Sequence, residues 1–317
     1  MIGNFDLPIA KGNARTYIFT PTPGSNQLSS IYRSLQRWDK PKGINFVYGL
    51  LIGAGSGGGG GFSIGAGTAG GGGGGGTPGA TIQFLQPAYL MPDTLYVSVA
   101  AGGLGGAADA NGGFPNITGL FYGSMGSQAA TTRVYYIYPN NQQATTQSGR
   151  SGSASTGGAG GTTLTVASTT AMPGIVGFSN FVQATSPNGG QNGGFGAGGN
   201  NAPFLGRPQG GAGGGGVSSS LSYAGGNVLG PTTSVNSVWS RNLLGGASAG
   251  VNGENGITLF EPTFFSLPGA GGAGNVSGTG GAGGKGGIGC GGGGGGAGIT
   301  GGRGGDGGDG FIMLVCW

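Results

Sequence analysis

The chain has 317 residues, 87 of them glycine, with 36% hydrophobic and only 6% charged residues and no histidine. That composition excludes catalysis by a Ser-His-Asp or Cys-His arrangement, and two cysteines without histidine cannot build a zinc site, so neither a cofactor nor a metal is expected. The net charge of +4 is concentrated in residues 1–42, where Lys11, Arg15, Arg33, Arg37, Lys40 and Lys42 face only Asp6 and Asp39, six minus two; the rest of the chain sums to zero.

Residues 1–43 are the least glycine-rich stretch and are predicted to form an N-terminal attachment segment. Leu28, Ile31, Tyr32 and Leu35 recur at helical spacing within Asn26–Arg37, which predicts a short amphipathic helix closed by Pro41 and Gly43. Arg33, Arg37, Trp38, Lys40 and Lys42 are the candidate attachment residues, toward a protein partner. Dispersed basic residues are a thin footprint for nucleic acid, which is not expected as a partner. Met1–Leu7 lacks the basic and apolar regions of a secretory signal, so the expectation is export within an assembled particle or by lysis.

From residue 44 to 317 the sequence alternates apolar runs with glycine blocks, predicting one glycine-rich domain. Ile44–Ile52 reads as a buried strand that empties into Gly53–Gly79. Thr94–Ala100 does the same into Gly102–Gly106, after a turn at Met91-Pro92-Asp93. Thr132–Tyr138 is a strong strand signal and Thr162–Val166 a weaker one. Further glycine blocks occupy Gly189–Gly199 and Gly210–Gly216. Irregular stretches, at about 111–187 and 218–267, are expected to form exposed loops, the usual seat of recognition. They carry Phe114, Phe121, Tyr122, Phe178, Phe181, Tyr223, Trp239, Phe264 and Phe265, the candidate receptor-contact aromatics; such rings either stack on sugars or pack a core.

Other chemistry is sparse. Gly53-Ala54-Gly55-Ser56-Gly57-Gly58 matches a dinucleotide fingerprint, but no helix can follow through glycine and no acidic residue lies about 20 positions on. Glu254 and Glu261 could serve a polysaccharide depolymerase, but two acids on a loop read as solvated. Asp306 and Asp309 fall one turn apart in the beat and could bind a cation or face Arg303 and Lys285 on neighbouring segments, but they read best as a plain solvated face. Cys290 and Cys316 either form a disulfide or stay free and buried, the second being the reading adopted.

From Gly269 to Gly310 two of every three positions are glycine. The third position reads Ala270, Ala273, Val276, Thr279, Ala282, Lys285, Ile288, Gly291, Gly294, Ala297, Thr300, Arg303, Asp306 and Asp309. A period of three fits neither a helix nor a strand but matches polyproline II, with three residues per turn and about 3.1 Å of rise. Collagen is excluded because the segment has no proline. The apolar run Phe311–Trp317 that follows reads as a buried strand and falls short of the about 20 residues a membrane span needs. The fold class predicted is mainly irregular and all-β, with packed polyglycine II helices framed by short strands.

Three stretches carry a resemblance. Trp38-Asp39-Lys40-Pro41-Lys42-Gly43-Ile44 running through a strand into Gly53–Gly61, Pro92–Gly103, and Gly305–Val315 resemble the opening, middle and closing strands of glycine-rich domains in tailed-bacteriophage tail fibre and virion proteins. Glycine-rich adhesins that cap long tail fibres are a more distant likeness; Asn111–Pro187 and Ser218–Leu267 depart from the pattern. In those adhesins the resemblance implies a lattice of polyglycine II helices displaying variable receptor-binding loops; with the charge asymmetry of residues 1–42, the expectation is a non-enzymatic virion protein on the particle surface, held by other virion proteins through its N-terminal segment. It would contact a host-surface glycan or outer-membrane protein through its loops, without inserting into a membrane, and would assemble as a homo-oligomer such as a trimer. A structural capsid or tail decoration protein without receptor binding is the alternative.

Overall fold

The structure, a computed structural model, describes residues 14–22, 35–64, 68–79, 81–107, 132–135, 143–146, 168–170, 177–180, 208–229, 242–260 and 264–317. Among these there is no α-helix; the fold is built from strands and irregular glycine-rich backbone. The strands are β1 (Arg15–Phe19), β2 (Leu35–Asp39), β3 (Phe46–Ile52), β4 (Thr81–Pro87), β5 (Thr94–Ser98), β6 (Thr132–Tyr135), β7 (Gln143–Thr146), β8 (Ser168–Thr170), β9 (Gly177–Asn180), β10 (Thr258–Leu259), β11 (Phe265–Ser266), β12 (Asn275–Thr279), β13 (Gly298–Thr300) and β14 (Phe311–Cys316).

Two antiparallel sheets, ordered β1-β14-β3-β4-β9 and β2-β5-β6-β7-β8, share one apolar core. Phe19, Val47, Leu51, Phe84, Ile312 and Leu314 enter it from the first sheet, and Trp38, Leu95, Val97 and Val134 from the second. Strands β3 and β14 are apolar on both faces because both are used. Ile312 and Leu314 point into the shared core, while Leu50, Ile52 and Phe311 join a second cluster with Phe264. Gly49 on β3 makes room for the Phe84 ring, whose nearest atoms would lie 2.2 Å from a Cβ there.

The helix expected over Asn26–Arg37 is corrected at its C-terminal end. Leu35–Arg37 belong to β2, paired with Ser98, Val97 and Tyr96; residues 26–34 lie outside the described residues. Burial of Trp38 opposite Leu95 gives the extended backbone more apolar contact than an isolated helical turn would. Strand β1, which pairs residue by residue with β14 from Arg15↔Cys316 to Phe19↔Ile312, was not foreseen. The weaker strand expected at 162–166 lies outside the described residues.

Beyond the sheets the chain runs in glycine segments linked side by side through backbone hydrogen bonds at three-residue steps. Cys290–Ala297 lies at the centre. Its N–H groups donate in rotation to three segments: Gly291, Gly294 and Ala297 to Gln209, Ala212 and Gly215; Gly292 and Gly295 to Ser56 and Gly59; Gly293 and Gly296 to Gly284 and Gly281. Its carbonyls accept in rotation from three others: positions 291, 294 and 297 from Gly269, Gly272 and Asn275; 292 and 295 from Gly76 and Gly73; 290, 293 and 296 from Gly308, Gly305 and Gly302. Backbone polar groups that would be costly to bury unpaired are thus all paired along this segment. Close approach forbids side chains there, since a Cβ on Gly291 would lie 1.8 Å from the Gly76 carbonyl oxygen and one on Gly294 2.0 Å from that of Gly73.

The direction of each segment gives the domain two unlike ends. Strands β3 and β5 feed segments 53–62 and 99–107, and segment 301–310 returns into β14, so both sheets stand at one end. At the other end are the turns joining antiparallel neighbours, at residues 217–222, 246–251, 275–280 and 297–302, together with residues 62–64 and 68–70 and with Ala107, where the described chain leaves the glycine array.

Candidate functional site

The end opposite the sheets is sealed from below by a small apolar cluster of Phe62, Ile64, Val217 and Ala297, against which Val276 packs. Above it Leu221, Val251 and Ile299 are exposed among Ser219, Ser220, Ser248, Ser277, Thr279 and Thr300. No described residue of these turns is charged. The turns are held by local hydrogen bonds: the Ser218 hydroxyl accepts from the Leu221 amide at 2.9 Å, the Asn275 side-chain amide donates to the Thr279 carbonyl at 3.0 Å, and the Ser222 hydroxyl accepts from the Val276 amide at 2.9 Å. The result is a firm, neutral surface of hydroxyl and aliphatic groups, suited to contacting another molecule by shape and short polar contacts rather than by charge.

Of the candidate aromatics, Tyr223 lies just inside this end, half-buried, with its carbonyl accepting from the Gly274 amide. Phe264 and Phe265 are corrected: both are buried, at the sheet end. Phe264 stacks on Phe311 with ring centroids 6.1 Å apart, and Phe265 packs with Leu243, Leu267 and Ala270. Their burial removes them from any contact surface. Phe178 sits on β9, paired with Gln83; Phe114, Phe121, Tyr122, Phe181 and Trp239 lie outside the described residues. Leu221, Val251 and Ile299 were missed, because a lone aliphatic residue beside glycine gives no sign of which end of a segment it occupies.

The N-terminal candidates also divide. Trp38 is buried in the core between the sheets, edge-on to Tyr17, so it is no surface anchor. The Lys40 ammonium donates to the carbonyls of Ala88 and Met91 at 3.1 and 2.9 Å and meets Asp93 at 3.0 Å, which pins the 88–93 turn. Arg37 is exposed and bonded to Asp39 at 2.8 Å. That bond raises the Arg37 pKa, and together with the Thr94 hydroxyl it lowers that of Asp39. Lys42 is exposed in a turn that Gly43 completes at φ +78, and Arg33 lies outside the described residues.

Polar side chains finish the array at its perimeter. Asp309 and Asp306 each accept a backbone N–H at 2.8 Å, from Gly102 and Gly105, and Asp306 also accepts from Arg303. Asn252, Asn255 and Thr258 accept from the amides of Ala282, Lys285 and Ile288 at 2.8, 2.8 and 2.9 Å. The Glu254 carboxylate accepts from the Leu244 amide at 2.9 Å, and Glu261 lies outside the described residues. Cys290 and Cys316 are free and buried; burial pushes the Cys290 thiol up to about 11. The described residues contain no group of three or more His, Cys, Asp or Glu side chains placed to hold a metal ion. Nor do they contain a helix long and apolar enough to cross a membrane. No protein-family model matches the chain, and no curated protein matches it.

Proposed function

We propose that the chain is a virion structural protein of a tailed phage, a tail fibre tip or adhesin that presents loops to a host-surface receptor from a scaffold of polyglycine II helices. The observation that carries this reading is the pair of unlike ends. Strands β1 and β2 of the N-terminal region are built into the sheets at one end, and the described turns and Ala107 lie at the other. Such a body is attached at one end and free at the other.

The helical part of the proposal rests on hydrogen bonds that repeat every three residues in all directions around Cys290–Ala297, the repeat of a three-residue left-handed helix. Those groups find partners within one chain, so a homo-oligomer, a trimer included, would form through the sheet end or the flanks rather than to complete the glycine array. The receptor is a surface glycan or an outer-membrane protein, met by the neutral turns, with Phe114, Phe121 and Tyr122 the candidate contact rings read from the sequence. Other virion proteins hold the sheet end.

The test is competition and imaging. The purified chain should block adsorption of its phage to the host, and Phe121→Ala/Tyr122→Ala should weaken that block without lowering thermal stability. Imaging of intact particles should place the turns at 217–222 and 246–251 outward. Turns buried between subunits, with no competition, would support a decoration protein instead.

A further inference from the structure

We propose that Asn252-Gly253 and Asn255-Gly256 are latent modification sites, held unreactive by the array and opened to backbone rearrangement only when its edge comes apart; this goes beyond the receptor reading and does not depend on it. Asparagine followed by glycine is the pair in which the main chain attacks its own side chain with least hindrance, because glycine has no Cβ. The glycine nitrogen loses its proton and bonds to the asparagine Cγ. The Cγ–N bond of the side-chain amide breaks and ammonia leaves. Water then opens the resulting succinimide at either carbonyl, giving aspartate or isoaspartate.

In this structure both reacting groups are occupied. The Asn252 Oδ1 accepts from the Ala282 amide at 2.8 Å while the Gly253 amide donates to the Ala282 carbonyl at 2.9 Å. One turn on, the Asn255 Oδ1 accepts from the Lys285 amide at 2.8 Å while the Gly256 amide donates to the Lys285 carbonyl. Each Asn-Gly pair therefore grips the two backbone groups of one residue on the neighbouring segment. The attacking nitrogen points its proton at Ala282 or Lys285, and the carbonyl under attack is tied to the same residue. Attack needs the hydrogen bond of the glycine N–H broken, and the bond to Oδ1 must also release the side chain so that its Cγ can turn onto the nitrogen. The side chains are exposed, so water is not the missing reactant.

The two products differ in consequence. Aspartate keeps an oxygen where the Asn Oδ1 was and can close the grip again. Isoaspartate runs the main chain through the side-chain carbon, adds an atom to the backbone and shifts every following donor out of the three-residue step, so the edge cannot re-form.

The experiment is peptide mapping by mass spectrometry of the whole protein incubated at mildly alkaline pH, folded and in denaturant. Two hydrogen bonds of ordinary net strength predict about 30-fold slower loss of Asn252 and Asn255 in the folded chain. A second measurement isolates the product: Asn252→Asp/Asn255→Asp should keep the melting temperature, while chains carrying isoaspartate at either position should show fast amide exchange at 282–288. Equal rates folded and unfolded, or isoaspartate chains with undisturbed exchange, would overturn the proposal.

Discussion

At the scale of single residues, the third position of the Gly-Gly-X beat records depth in the array. It is glycine at 291 and 294, where six segments press on one; alanine at 270, 273 and 297, fully buried; and charged at Lys285, Arg303, Asp306 and Asp309, on the perimeter. The two glycines that interrupt the beat thus mark its centre, a signal present in the sequence but readable only once the neighbours are known. Gly294→Ala should cost about 3 kcal/mol or prevent folding, since backbone on every side leaves nothing to yield. Gly43→Ala, with open space but φ +78, should cost about 1 kcal/mol. Urea unfolding midpoints at constant slope would check both. Burial also fixes a pH dependence. The Cys290 thiol rises from 9.0 to about 11 and the Tyr48 phenol from 10.0 to about 12. Their unfolded forms ionise first, so the stability they contribute is intact below pH 9 and is lost as pH climbs through 11 to 12. Cys290 alone accounts for about 2–3 kcal/mol of that loss. Denaturant titrations should show this decline, and Cys290→Ala, though weaker at neutral pH, should show less of it.

At the scale of elements, the strands visible in the sequence are those with continuous apolar runs buried on both faces, β3 and β14, together with the regular β5 and with β6, the first half of the Thr132–Tyr138 run. Strands β1 and β2 were hidden because their burial depends on partners nearly 300 and about 60 residues away, and a local helical spacing at Leu28–Leu35 was the stronger short-range signal. For Asp306 and Asp309 the sequence offers a solvated face, a cation site or pairing with Arg303 and Lys285; Asp306 does pair with Arg303, and both aspartates also take the place of a missing neighbouring carbonyl. Asp306→Ala and Asp309→Ala should each cost about 1–2 kcal/mol and speed exchange of the Gly105 and Gly102 amides respectively. Unchanged exchange at those two amides would remove the edge-capping role. The same short-range blindness explains the candidate aromatics: Phe264 and Phe265 look like loop residues until β11 and the neighbouring Phe311 enclose them.

At the scale of the whole molecule, β-sheets and glycine array divide the labour. The sheets supply an ordinary apolar core that anchors segment ends in register, and the array then holds backbone against backbone with almost no side chains between. The array thus carries the far turns on a rigid support with little side-chain bulk, as the proposed receptor-contacting tip would need. The strand-and-irregular class of the fold was legible in composition and in the apolar runs between glycine blocks. Which turns share an end was not, because segment direction is set by hydrogen bonds between residues as far apart as Gly55 and Gly308. The glycine segments form a single ordered array centred on Cys290–Ala297, and native-state amide hydrogen exchange tests this most directly. The amides of Gly291–Ala297 should be the slowest in the domain, exchanging only with global unfolding alongside those of β3 and β14; exchange there as fast as in an unstructured glycine chain, while β3 and β14 stay protected, would contradict it.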